Sequence, residues 1–211
     1  MHNNVRFYNA VNMGHIERKK REKENIRTSI LEAALTIAKS EGWKAVTIRK
    51  IAKAIEYTSP IVYEYFKNKD DLFWEIILLG FRKLLQQGEA KLELVQNPKE
   101  KLLALSLAHW DFAFENRELY SLMFNLERPY PNEEAQKGIA LIDEIFQKVS
   151  GATGEEVNLL VFNWLCLLNG TIGMIMQFES ADLPYEEKFS VPPRSLFIKF
   201  LQRFIDSISM K

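Results

Sequence analysis

The sequence predicts an all-α fold made of a small three-helix head and a larger helical bundle, and three observations predict it. Apolar residues recur at three- and four-residue spacing through nearly every long segment, with no alternating run that would form a strand and no internal repeat. Helix starts are written in cap residues at Thr47, Asn68 and Asn97-Pro98, and Gly and Pro punctuate the chain between helices. Charge is divided along the chain. The 211 residues are neutral overall, yet residues 1–68 hold 13 Lys and Arg against 7 Asp and Glu, while residues 69–211 hold 15 against 21. A basic head on an acidic body gives that distribution and points to a polyanion as partner of the head.

The elements follow in order. Residues 1–25 form a polar tail ending in Glu17-Arg-Lys-Lys-Arg-Glu-Lys-Glu24. It reads equally as a basic arm lying along phosphates or in a minor groove and as a solvated extension of the next helix. That helix spans Ile26 to Ser40 with Leu31, Ala34, Leu35 and Ala38 inward, and stops at Glu41-Gly42-Trp43. A second helix runs from an N-cap at Thr47 to about Ile55, with Ile48, Ile51, Ala52 and Ile55 inward and Arg49, Lys50 and Lys53 outward.

Glu56 and Tyr57 make a tight turn, Thr58 is placed to cap a third helix, and Pro60 fits its first turn, where the missing N–H costs nothing. Val62 and Phe66, four apart, face the core. Ser59, Pro60, Ile61, Tyr63, Glu64 and Tyr65 are left partly or wholly outward on a helix too short to stand alone. Two short helices joined by a tight turn, the second with a nearly uncharged outer face, are the layout of a helix-turn-helix groove reader. Asn68 caps the next helix, and Lys69 sets an ammonium at its positive end, which an anion such as a phosphate would relieve.

Residues 26–74 resemble the DNA-binding domain of the TetR family of bacterial transcription regulators in Thr47, Ile51-Ala52, Thr58, Tyr63, Phe66, Lys69 and Leu72-Phe73, all in register. Two positions depart from that pattern. Glu56 stands where the family usually has Gly, so it must adopt a left-handed conformation or change the turn, and Tyr65 stands where His is frequent.

Beyond Lys69 a long helix reaches about Val95 and links a head of residues 26–74 to a body of residues 75–211. Asn97-Pro98-Lys99-Glu100 then starts a helix apolar on much of its girth, with Leu103, Leu107, Trp110 and Phe114 on one stripe and Leu102, Leu105, His109 and Phe112 on another. Residues 110–124 resemble one branch of TetR-family effector domains, in which Leu119-Tyr120 would open a short helix. Further helices are expected at about 132–149, 154–178 and 193–209, separated by Pro129, Pro131, Gly151, Pro184, Pro192 and Pro193. The apolar run from Val157 to Phe178 is long enough for a membrane span. A Thr153-Gly-Glu-Glu156 capping box and the interior Asn158, Asn163, Asn169 and Gln177 argue for a buried protein helix instead.

Cys166 has no partner for a disulfide, and His2, His15 and His109 are too scattered for a metal or catalytic site, so no cofactor and no catalysis are expected. The N-terminal residues lack the apolar core of a signal peptide, so a cytoplasmic protein is expected. Cys166, Gly170 and Gly173 make a small-residue stripe that would admit a partner helix, leave room for a ligand, or simply pack.

Trp110, Phe112, Phe114, Met123, Phe124, Phe162, Met174 and Phe178 are rich enough in aromatic rings and thioethers to line an adaptable cavity. His109, Asn163, Asn169 and Gln177 are the polar groups placed to orient a ligand there.

The resemblance implies a homodimer joined through the helices near 154–178 and 193–209, binding a double-stranded, near-palindromic operator and released by a small hydrophobic molecule. It also implies that Thr47, Thr58, Tyr63, Tyr65 and Lys69 grip phosphates beside Arg49, while Ser59, Pro60 and Ile61 meet base edges. Glu64 either accepts from a cytosine amine or faces solvent. The alternative is a DNA-independent helical carrier or enzyme, for which no nucleophile–base pair, phosphate loop or metal spacing is present.

Overall fold

The helices at the start of this chain are too short to persist alone, so the fold begins with what each is packed upon. The computed structural model describes residues 2–125, 136, 138–181 and 190–209, with side chains from Glu17 onward. The described residues are helical almost throughout, in two units that divide after Ile76. Pro129, Pro131, Pro184 and the expected helix start near 132 lie outside them.

The first unit contains α1 (His2–Glu41), a single 3-10 turn (Trp43–Ala45), α2 (Ile48–Ala54), α3 (Ser59–Tyr65) and the start of α4 (Lys69–Leu92). The tail is thus a continuous extension of α1, and Glu17 through Glu24 are exposed. Ile30, Leu31, Ala34, Ala38, Val46, Ile51, Ala52, Val62, Phe66, Leu72 and Phe73 form the core of this unit. Trp43 meets the Phe73 ring edge-on at 5.2 Å. Arg27 on α1 pairs with Glu75 on α4 at 2.6 Å and lies 5.4 Å from the Phe66 ring centroid, so one side chain ties α1 to both later helices.

Thr47 Oγ1 accepts the Lys50 amide at 3.2 Å, and Asn68 Oδ1 accepts the Asp71 amide at 2.8 Å, as their cap positions predict. Thr58 occupies the expected N-cap position of α3, but its side chain makes no capping bond. The turn between α2 and α3 is a Schellman motif: the Tyr57 amide reaches Ala52 O at 2.9 Å and the Glu56 amide reaches Lys53 O at 3.3 Å. That closure requires Glu56 at φ 60°, which resolves the turn in favour of a left-handed glutamate.

The second unit holds the rest of α4, then α5 (Pro98–Glu115), α6 (Arg117–Met123), α7 (Ile139–Ser150), α8 (Glu155–Ser180) and α9 (Pro193–Ile208). Asn97 caps α5 through the amides of Lys99 and Glu100. Helix α5 packs against α6, α7, α8 and α9, and Leu102, Phe112, Phe146, Leu168, Ile172, Phe197 and Leu201 are sealed around it. Ser106, a polar residue inside this core, accepts from Trp164 Nε1 at 2.8 Å and donates to Leu102 O at 2.7 Å. Gly80 marks the close passage of α4 over α6, since a Cβ there would collide with Met123.

The expected capping box at Thr153 does not form. Gly154 is the N-cap of α8 at φ 62°, a backbone position that suits glycine, and no side chain caps the helix. Helix α8 is long and apolar enough to cross a membrane, with a mean hydropathy of 1.8, and only 28% of its most apolar window is covered within the chain. Val157, Val161, Trp164, Leu168, Ile172 and Ile175 supply its buried side.

A left-handed non-glycine residue costs about 1–2 kcal/mol, part of which glycine returns in unfolded-chain entropy. Glu56→Gly is therefore expected to raise unfolding stability by about 1 kcal/mol in urea titration while leaving the helix content unchanged.

Candidate functional site

The buried Val62 and Phe66 fix the rotation of α3 and thereby decide what faces outward. Pro60, Tyr63 and Glu64 are exposed, and Ser59, Ile61 and Tyr65 are half-buried. Tyr63 is 53% exposed. Thr47 and Arg49 at the start of α2 and Thr58 ahead of α3 are also exposed. The Thr47 hydroxyl already accepts the Lys50 amide, which leaves its own hydrogen to donate. Lys50 is tied to Glu41 at 2.6 Å, whereas Arg49 enters none of the ion pairs found among the described residues.

The Tyr65 phenol is held protonated, its pKa raised by burial and then by the charges of Glu64, Tyr57 and Glu22. It is therefore a hydrogen-bond donor at neutral pH. Tyr57, 45% exposed, joins this surface without having been singled out by its spacing in the sequence. A groove of about 570 Å³ lies beside it, between α1 residues such as Asn25, Ser29 and Thr36 and the end of α2 at Ala54 and Ile55.

Lys69 is half-buried at the start of α4. Its ammonium lies 4.9 Å from the centroid of the Phe73 ring, and Asp70 and Asp71 follow it in the first turn of α4. Asp71 also accepts the Lys67 amide at 2.9 Å, so acidic side chains meet the positive end of the helix beside the lysine.

In the second unit the structure brings together some of the expected ligand residues and separates others. His109 is 6% exposed and its Nε2 lies 3.2 Å from Tyr120 Oη. Tyr120 Oη donates to Asn169 Oδ1 at 2.6 Å, and Asn169 Nδ2 donates to Leu165 O at 2.9 Å. Phe124 stands 5.7 Å from the imidazole and 4.6 Å from the Tyr120 ring, with Phe81 of α4 5.7 Å beyond it. Tyr120 and Phe81 belong to this cluster although their sequence positions carried no sign of it.

Trp110 stacks on Phe114 at 4.2 Å and leans on Phe197 at 4.7 Å, a packing contact between α5 and α9. Phe112 and Met123 are buried, and Phe178 is half-buried near the end of α8. Phe162, Asn163, Met174 and Gln177 do not enclose a cavity with His109. They are exposed, Phe162 at 64% and Met174 at 50%, because no helix among the described residues covers the stretch of α8 that carries them.

Burial lowers the His109 pKa from 6.5 to about 4, against a smaller opposing effect of a hydrogen bond to Asn169. The imidazole is therefore neutral at physiological pH.

Residues 30–76 match the family model described as bacterial regulatory proteins, tetR family. The chain is similar over 124 residues, at 27% identity, to the HTH-type transcriptional regulator YhgD of Bacillus subtilis (strain 168), a match covering 57% of this chain and 59% of that one. It is 29% identical over 101 residues to the HTH-type transcriptional repressor KstR2 of Mycolicibacterium smegmatis, covering 48% and 49%. Both matches span less than two thirds of the relative's own length. Among solved structures, the fold resembles that of the TetR family transcriptional regulator PfmR from Thermus thermophilus, with a TM-score of 0.55 at 22% identity over 84% of this chain and 97% of that one.

The depressed His109 pKa sets a pH dependence. Between pH 6.5 and about 4 the unfolded chain binds a proton that the folded chain refuses, so this contribution to stability is level above about pH 6.5 and falls as pH drops toward 4. The full loss is on the order of 3 kcal/mol. Urea unfolding is expected to show a wild-type protein that weakens between pH 7 and 5 more than His109→Gln does; parallel curves would contradict the buried neutral imidazole.

Proposed function

We propose that this chain, whose residues 30–76 match the tetR family model, is a cytoplasmic, homodimeric transcription repressor of that family that binds a near-palindromic operator and leaves it when a small hydrophobic effector enters the body. The observation that carries the DNA reading is the outer face of α3: Ser59, Pro60, Ile61 and Tyr63 stand out from a helix pinned by Val62 and Phe66. Ile61 suits a thymine methyl, while Ser59 and the Pro60 ring meet neighbouring base edges in the major groove. Thr47, Arg49, Thr58, Tyr63 and Tyr65 surround that face with hydroxyl and guanidinium donors for phosphate oxygens. Lys69 contributes charge to the same surface from its place over Phe73.

The dimer reading rests on α8. Leu159, Asn163, Cys166, Gly170, Met174 and Gln177 form one exposed stripe along it, and a Cβ built at Gly170 or Gly173 would meet nothing within 4 Å. A second copy would cover this stripe together with the half-buried Phe200 and Phe204 of α9, and the missing side chains would let the helices approach closely. Two-fold pairing presents two copies of α3 to half-sites about 34–36 Å apart or a multiple of that turn. Helix α4 runs unbroken from Lys69 to Leu92 and belongs to both units, so an effector that favours one setting of α4 shifts DNA affinity by its differential affinity for the two states.

Two measurements follow. Mobility shifts on duplexes recovered by selection should give a log K that falls with log salt, as phosphate neutralisation requires. Ile61→Ala should cost on the order of 1 kcal/mol at one base step and leave non-specific affinity intact. A flat salt slope, or an unchanged recovered consensus, would remove the α3 assignment. Phe162→Asp should yield monomers in sedimentation, with loss of operator binding and retained helicity; a dimer that persists would place the interface elsewhere.

A further inference from the structure

The groove of about 570 Å³ in the head follows one stripe of α1. Glu22, Ile26, Ser29, Ala33 and Thr36 recur at spacings of four and three, so they share a helix face, and with Ile37 that face runs about 22 Å along the axis. The other wall is the end of α2 with Ala54 and Ile55, and Tyr57 of the turn. Ile26, Ile37 and Ile55 are only half-buried, so the groove keeps apolar surface in contact with water. Its size is that of a small-molecule site, for which volumes of about 300–1,000 Å³ are usual.

Charge restricts the occupant. The exposed Glu22 and Glu32 line the groove, and among the described residues no base does; Arg18, one turn before Glu22, lies beyond its end. An anion would meet two carboxylates, and an uncharged occupant would take both partly out of water without a partner. The two acids stand about 15 Å apart along α1, too far to chelate a single metal ion. After burial and Glu64, the charges of Tyr57 and Glu22 raise the Tyr65 pKa, so those two share the end of the groove nearest α3. An ammonium there gains the exposed Tyr57 ring as well as a carboxylate.

We propose that this groove binds an elongated organic dication, with one ammonium at Glu22 and Tyr57, the other at Glu32, and an alkyl body over Ile26, Ala33 and Ile55. The groove is open along one side, so both ammoniums stay hydrated and each ion pair adds little. Burial of the alkyl body supplies most of the affinity, and the carboxylates fix its charge and length. The site lies wholly in the head and is independent of the DNA and effector readings.

The test uses the full chain in low-salt buffer with decamethylenediamine, whose extended ammoniums match the separation of the acids, the shorter tetramethylenediamine of equal charge, and the uncharged decamethylene glycol. In calorimetry the long diamine is expected to bind once per chain, about tenfold more tightly than either of the others. Glu22→Gln and Glu32→Gln should each weaken it about threefold, and the double variant should bind it no better than the glycol. Backbone amide NMR should show shifts confined to the groove, at Asn25, Ser29, Ile55 and Tyr57.

Equal affinity for the two diamines would mean non-specific attraction to acidic surface and would overturn the proposal. So would shifts centred outside the groove, unchanged affinity in the double variant, or no binding of the long diamine. If the double variant does not fold, the wild-type affinities and the position of the shifts decide the matter.

Discussion

Everything proposed for the head depends on how a seven-residue helix is held. Helix α3 contributes too few hydrogen bonds to stand alone, so its orientation belongs to Val62 and Phe66, which are sealed in the core of the first unit. Phe66 lies beside Arg27, and Arg27 pairs with Glu75, so the ring sits at the junction of α1, α3 and α4. Rotating α3 to bury Tyr63 or Ile61 instead would expose a phenylalanine and break that junction. The outward face is therefore a consequence of packing, and its near absence of charge is what the proposal of base-edge contact rests on.

The body solves a different problem. Its core is mostly apolar, yet it admits Ser106 and His109, each with a specific partner on another helix: Trp164 on α8 for the serine, Tyr120 on α6 for the histidine. A buried polar group left unpaired costs about 1–3 kcal/mol, so each of these bonds restricts how its helices can slide. Ser106 is satisfied by Trp164 and Leu102. His109 bonds Tyr120 through Nε2, and Tyr120 in turn donates to Asn169 on α8, so one chain of bonds joins α5, α6 and α8.

The head was legible because its signals are local. Caps at Thr47 and Asn68, the apolar spacing through Ile51 and Ala52, and the Val62–Phe66 pair all act within one turn of the chain, and the structure realises each of them. Residue type alone misleads at Thr58 and Thr153, because capping depends on the backbone's approach angle. At Thr153 the left-handed Gly154 takes the position instead. The body cluster was legible only in part: residue type singled out His109, Asn169 and Phe124, but not the Tyr120 hydroxyl that links them. His109 and Tyr120 are 11 residues apart and Tyr120 and Asn169 are 49 apart, and nothing in their neighbours announces the meeting. Phe162 and Met174 show that aromatic and thioether content does not report burial, since both are exposed.

The most direct test of the account is a methylation-protection footprint on a selected duplex, since guanine N7 lies in the major groove and adenine N3 in the minor. The account predicts two patches of guanine N7 protection one helical turn, or a whole multiple of it, apart. Protection confined to adenine N3, or a single patch with no symmetric partner, would contradict a dimer that reads the major groove with α3.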